Sequence, residues 1–267
     1  AMMMARGAVN RGILELKLHN LYRFESEKTL EGIHLGQAWA NRTNNLMESG
    51  ECFDQGGLMP EDGAWYHIED LDRYININTV DKDFLREMRK LKSLPSGLVR
   101  KISARQEGIK DPEMPQAGFH AIEELRYMRS VKPEDWFGED GDPGLRDVLT
   151  TWGSHAINVN TAPRAVLELI PELNAGQVDA IIEYRGGEEG TGGIEEGDNW
   201  RGFKDPNKLA AHFNLRNGSL PHCTTVSSYF KIRGIATRRN GKIRAYCSAV
   251  VDLSGNIKVW QEGPSDS

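Results

Sequence analysis

Apolar residues recur at helical spacing through most of the chain and at every second position only near its end. From about Ile13 to Glu48, Leu14, Leu18 and Leu21 share a face, followed by Leu30, Ile33, Leu35, Ala38 and Trp39, and no proline interrupts. That pattern predicts one long helix. Gly32 and Gly36 stand one turn apart within it; each weakens a helix by about 1 kcal/mol unless another backbone approaches there, and packing on a sheet is the expected use. Ser49-Gly50 ends the helix, and Cys52 to Gly63 reads as a loop. Ala64 to Ile68 alternates, with Trp65 and Tyr66 as strand formers. Between about Asp81 and His222 nearly everything reads as helix or loop, broken at Gly138 to Gly144 and again at the Gly/Glu-rich Arg185 to Trp200. After Pro221 the period changes to two: Thr225 to Ala236, a turn at Asn240-Gly241, Ile243 to Leu253, a turn at Ser254-Gly255-Asn256, and a third strand ending near Trp260. The first strand of this meander needs a neighbour, and Ala64 to Ile68 is the strand-like segment that remains. The fold class is therefore α+β: a long helix and a small antiparallel sheet drawn from residues 1–78 and 223–267, with an all-α block over 79–222 inserted between them.

The inserted block repeats itself. Tyr74-Ile75-Asn76-Ile77-Asn78-Thr79 recurs 82 residues later as Ala156-Ile157-Asn158-Val159-Asn160-Thr161, and the same offset carries Phe84 onto Val166, Leu85 onto Leu167 and Met88 onto Ile170. After a three-residue slip, Gly97, Val99 and Ile102 correspond to Gly176, Val178 and Ile181. Phe119 with Leu125, and Phe203 with Leu209, then share a six-residue spacing. Each copy reads as a short alternating segment, a helix, a sharp reversal and a second helix, giving two helix-hairpin-like units over about 75–135 and 157–215. A single copy could not bury its apolar stripe alone, so the two are expected to share a core. Within each motif Asn78 or Thr79, and Asn160 or Thr161, stand where a side-chain oxygen would cap the helix that follows.

Charge and composition narrow the chemistry. The charged set is 27 % of 267 residues, the hydrophobic set 39 %, and the net charge −6, with Lys and Arg scattered. There is no basic stripe of the kind that neutralises phosphates, so binding nucleic acid through charge is disfavoured. Cys52, Cys223 and Cys247 have no zinc spacing; one disulfide with one free thiol, or three buried thiols, are both compatible with the sequence. No run of about 20 apolar residues is present, so the chain as given does not span a membrane. His155, His212 and His222 lack HxxxH or carboxylate spacing and read as scattered surface or packing residues, His222 beside Cys223 is adjacency only, and no catalytic constellation emerges.

Four segments carry a resemblance to a known family: Asp70-Leu71-Asp72-Arg73-Tyr74-Ile75-Asn76-Ile77-Asn78, Ile122-Glu123-Glu124-Leu125 followed by Val131, Ile157-Asn158-Val159-Asn160-Thr161-Ala162-Pro163, and Val226-Ser227-Ser228-Tyr229-Phe230. Together they resemble the K-type minor pseudopilin of the bacterial type II secretion system, over most of the chain from residue 70 onward. The resemblance implies a pilin-like helix on its sheet and a structural, non-enzymatic role. It places the protein at the tip of the pseudopilus with the I-type and J-type minor pseudopilins, supporting export of folded cargo across the outer membrane. It implies a periplasmic domain of a Gram-negative protein, anchored in the inner membrane by a segment absent here. Two departures stand out: the acidic stretch the family carries ahead of its second motif is largely missing at 103–111, and the family's hydrophobic N-terminal segment is absent.

Two further expectations concern ligands. Family members bind calcium in the helical domain, and here Glu195, Glu196 and Asp198 with Asn199, or Glu139, Asp140 and Asp142, supply hard oxygen ligands in short loops without EF-hand spacing. The alternative function is nucleic-acid binding, because residues 157–185 also resemble the helix-hairpin-helix module of competence-type DNA receptors. Its hairpin, however, carries Pro171 and Glu172 where an open glycine should meet phosphate. For partners, Ala38, Trp39 and Leu46 are expected to cover the sheet, whereas Leu14, Leu16, Leu18 and Leu21 form an apolar stretch away from any core; Leu14, Leu18 and Leu21 are the candidate partner-binding residues.

Overall fold

A computed structural model describes residues 1–25, 63–91, 96–108, 118–185, 202–203, 205–213 and 220–263. In chain order the helices are α1 (Met2–Glu25), α2 (Lys82–Leu91), α3 (Ser96–Gly108), α4 (Pro133–Phe137), α5 (Leu145–Val148), α6 (Arg164–Leu167), α7 (Ala175–Tyr184) and α8 (Pro206–His212). The strands are β1 (Gly63–Asp70), β2 (Ile75–Asn76), β3 (Gly138–Glu139), β4 (Asp142–Pro143), β5 (Leu149–Thr150), β6 (Ile157–Asn158), β7 (Cys223–Thr224), β8 (Tyr229–Arg238), β9 (Ile243–Asp252) and β10 (Ile257–Gly263). The chain divides into two compact units, residues 1–70 with 228–267, and residues 71–227. The expected boundaries after 78 and 222 thus move outward, because the first Asn motif and the segment through Ser227 are hydrogen-bonded into the helical unit.

The first unit is one helix on a four-stranded antiparallel sheet of order β1-β8-β9-β10. β1 pairs β8 from Gly63 opposite Thr237 to Asp70 opposite Phe230, so the strand ahead of the insertion does join the terminal meander. Alternation fills one sheet face with Tyr66, Ile68, Phe230, Ile232, Ala236, Ala245, Cys247, Ala249 and Val251. The turn between β8 and β9 holds Arg239, Asn240 and Gly241 at φ of 55, 56 and 74°, the left-handed region that Asn and Gly tolerate best.

The helix differs from expectation. It begins at Met2 rather than near residue 13, and Ala5, Ala8, Val9, Ile13 and Leu16 are the residues buried on the sheet. Their spacing of three and four makes one face. Small residues are what that close approach requires: a Cβ on Gly12 would sit 2.8 Å from Ile232 and 2.9 Å from Tyr66, and one on Gly234 would sit 2.5 Å from the Ala5 carbonyl. Leu16 is therefore core, not part of a free apolar stretch. Ala38, Trp39 and Leu46, to which sequence assigned the covering role, lie outside the described residues, as do Gly32 and Gly36.

The second unit is built from two copies of one path. In the first, β2 runs through the Asn motif into α2, reverses into α3, and the copy is closed when β2 pairs in parallel with β5, Ile75 opposite Leu149. In the second, β6 leads into α6 and α7, and pairs in parallel with β7, Ile157 opposite Cys223. These short strand pairs were not legible as strands. Past each pair the next backbone bond is also repeated, Ile77 N–H to Thr150 O at 2.9 Å and Val159 N–H to Thr224 O at 3.0 Å. The aligned apolar positions are buried in both copies: Phe84 with Val166, Leu85 with Leu167, Met88 with Ile170, and Ile102 with Ile181, all within one core cluster. The first copy carries extra elements before its closing strand, α4, a β3–β4 hairpin at the expected break, and α5.

Candidate functional site

The repeated Asn residues are organisers of the helical unit rather than helix caps. Asn76 and Asn158 each accept the N–H of the residue two positions on, Asn78 and Asn160, at 3.0 Å, which bends the chain in an Asx turn. Their amide nitrogens then reach the closing segment, at 2.7 Å to Gly153 O and 2.7 Å to Ser227 Oγ. Asn78 brackets Phe119, accepting its N–H at 2.8 Å and donating to its carbonyl at 2.9 Å. Asn160 does the same to Phe203, at 2.8 and 3.0 Å. Thr79 donates to Ser154 O and Thr161 to Asn158 O. The expected capping by Asn78, Thr79, Asn160 and Thr161 is corrected accordingly: Asn78, Asn160 and Thr79 bond segments far along the chain, and Thr161 bonds back within its own motif. Asp81 caps α2, accepting the Phe84 N–H at 2.7 Å, and α6 starts behind Pro163 with no side-chain cap. A second equivalent pair was missed in the sequence. Gln106 donates to Ile77 O and Val80 O, and Arg185, fully buried, donates to Val159 O and Ala162 O.

Among the described residues, the outer face of α1 carries a stripe with an interaction chemistry of its own. Leu14, Leu18 and Leu21 are 49, 42 and 52 % exposed, against zero for Leu16. Their spacing of four and three puts them on one stripe, which Met3 and Gly7 continue toward the N-terminus at the same helical phase. Met3 is exposed, and a Cβ on Gly7 would meet nothing within 4 Å. A row of aliphatic side chains ending beside an open backbone position is a shape that accepts another apolar helix. Arg6, paired to Glu262 at 2.8 and 2.7 Å, ties the helix to the last strand beside that stripe.

Other candidates fall differently. Glu195, Glu196 and Asp198 lie outside the described residues, as does Asn199. Glu139, Asp140 and Asp142 form the tip of the β3–β4 hairpin, and among the described residues no group of three acidic, His or Cys side chains is placed to hold a metal ion. At the hairpin of the helix-hairpin-helix alternative, Asn174 accepts the Gln177 N–H at 3.0 Å and Gln177 returns the bond to the Asn174 N–H at 2.9 Å. The first turn of α7 is thus occupied by a reciprocal cap where phosphate would bind. Cys223 and Cys247 are free and buried, and burial pushes their thiols up to about 12 and about 11. Neither has thiolate character at neutral pH. Cys52 is outside the described residues.

His222 is not a scattered histidine. Its Nδ1 lies 2.6 Å from Glu172 Oε1 and its Nε2 2.5 Å from Asp81 Oδ2, with 13 % of the side chain exposed. Burial opposes the charged imidazolium, but the hydrogen bonds and charges of the two carboxylates outweigh it and raise the pKa above 6.5. Asp81 is moved the other way: burial raises it, and the Phe84 N–H and His222 together bring it below its ordinary value. No sequence spacing could have joined three residues 141 and 50 positions apart.

Neither a protein-family model nor a curated protein sequence matches the chain. Among solved structures, a chain of the crystal structure of the GspK-GspI-GspJ complex from the enterotoxigenic Escherichia coli type 2 secretion system matches with a TM-score of 0.59. The two chains share a fold. They are 13 % identical, and the match covers 97 % of this chain and 94 % of that one. A likeness at this identity reports backbone path, not chemistry, so the function rests on the surfaces described above. Among the described residues no helix is long and apolar enough to cross a membrane.

Proposed function

We propose that this chain is a K-type minor pseudopilin, a structural subunit that assembles with I-type and J-type pseudopilins at the tip of a type II secretion pseudopilus, and that it has no enzymatic role. The observation that carries the reading is the exposed stripe of Leu14, Leu18 and Leu21 on a helix whose opposite face is already spent on its own sheet. The shared fold with a chain from a complex that also contains GspI and GspJ supports it. A helix covered on one side and apolar on the other fits a subunit packed helix against helix with its neighbours. On this reading the helical unit has a core of its own, the protein works in the periplasm, and secreted cargo is a further candidate partner.

The test is reconstitution. Purified chain is mixed with the I-type and J-type ectodomains of the same secretion system and followed by analytical ultracentrifugation. A single sedimenting species containing all three subunits is expected. Three independent species at every concentration would remove the assignment.

A further inference from the structure

We propose that Asp81, His222 and Glu172 form a pH-sensitive latch that joins the first copy of the helical repeat to the second. The geometry is specific: Asp81 is the N-cap of α2 in the first copy, Glu172 lies in the turn before α7 in the second, and His222 stands one residue ahead of the closing strand β7. One imidazole bonds both carboxylates, each through a different ring nitrogen. Only the doubly protonated ring can donate to both at once. The imidazole also meets the buried Phe84 ring of α2 in a T-shaped contact, centroid to centroid at 5.0 Å.

Comparison of the two copies shows that the repeat does not require this arrangement. Since Leu149 and Cys223 hold equivalent places in the closing strands, the counterpart of His222 is Val148, which is fully buried and apolar. The counterpart of Asp81 at the 82-residue offset is Pro163, which offers no side-chain cap. The second copy's closing segment has thus exchanged an apolar contact for an ionisable one. Such an exchange rarely adds stability, because the desolvation of three ionisable groups offsets their attraction. What it adds is dependence on protonation. Glu172 sharpens this, since its other oxygen, Oε2, is buried with no hydrogen-bond partner among the described residues.

The sign follows from the three groups. Those bonded to the imidazole are Asp81 at the N-cap of α2 and Glu172 in the turn before α7; the Cys223 thiol, next in sequence and near Glu172, is kept neutral by burial. His222 is raised, so its contribution is complete below the unfolded histidine value and is lost as pH rises through the folded one. Asp81 is lowered, so its contribution is present above the unfolded carboxylate value and lost as pH falls through the folded one. The latch is closed between these limits and opens on the alkaline side when the ring releases its proton. This inference is independent of the pseudopilin assignment and survives its failure.

The experiment is an NMR titration of the histidine Cε1–H signals of the whole chain, with His222→Gln used to assign the resonance, beside thermal melts from pH 6 to 9. His222 is expected to titrate above 6.5, and its midpoint to fall in both Asp81→Asn and Glu172→Gln. Asn retains N-cap capacity, so Asp81→Asn separates the latch from the helix start. Wild type is expected to lose about 2–4 °C of melting temperature across that range beyond the loss of Glu172→Gln or His222→Gln, the size of a change near 1 kcal/mol in a unit of this length. A midpoint at or below 6.5 that both carboxylate variants leave unmoved, or melting curves that shift with pH in parallel in wild type and Glu172→Gln, would overturn the latch.

Discussion

Asn160 is the residue on which the second copy turns. It is fully buried and satisfies both backbone groups of Phe203, 43 positions away. Asn160→Ala would leave a buried N–H and a buried carbonyl unpaired, at about 1–3 kcal/mol for each such group. Denaturant melts are expected to show a loss of at least about 2 kcal/mol, with a smaller loss for the half-buried Asn78→Ala. The exposed Thr79→Ala is expected within about 0.5 kcal/mol. Equal losses for Asn160→Ala and Thr79→Ala would contradict the bracketing role. Asp81→Ala, which removes the α2 cap, is expected to cost about 0.5–2 kcal/mol, largely restored by Asn. The importance of the second Asn in each motif was legible from its repetition, but not its role. A motif ending in Asn-Thr ahead of a helix is locally a capping signal, and only the fold discloses that Phe119 and Phe203 arrive to claim the side chain first. The same holds for Asp81 and His222, whose bonds cross most of the unit.

At the scale of elements, the packing of α1 makes opposite predictions for two glycines on one helix. Gly12 faces the sheet, where a methyl would collide with Ile232 and Tyr66, so Gly12→Ala is expected to destabilise by about 1–3 kcal/mol. Gly7 faces outward into open space, so Gly7→Ala is expected to stabilise the isolated protein by up to about 1 kcal/mol through helix propensity. Thermal melts of both variants check the assignment of faces; a destabilising Gly7→Ala would mean the helix is rotated. The meander and its pairing with the strand ahead of the insertion were readable because period-two alternation and an Asn-Gly turn are strong local signals. The start of α1 was not, because Met2 to Gly12 mixes Gly, Arg and Ala at positions whose buried face appears only once the sheet is in place. The two-residue parallel strands closing each copy are too short for any periodicity to register.

For the whole molecule, duplication explains how an insertion of this length holds its core: the buried apolar residues of both copies belong to one cluster, and the copies are stitched by bonds such as Asn158 N–H to Asp72 O at 2.8 Å. Calcium is a proposal that concerns the acidic segment at Glu195, Glu196 and Asp198. If the ion binds only the folded state, chelator is expected to lower the melting temperature and added calcium to restore it, whereas identical melts in both conditions would retire it. If α1 presents its outer face to partner subunits, the affinity of the chain for the I-type and J-type ectodomains, measured by calorimetry for wild type and for Leu14→Lys/Leu18→Lys/Leu21→Lys, reports it. Because these side chains contribute little to the chain's own core, the melting temperature is expected to stay close to that of wild type while the affinity falls by more than about tenfold, or 1.4 kcal/mol. Unchanged affinity in a folded variant, or a variant that no longer folds, would contradict it.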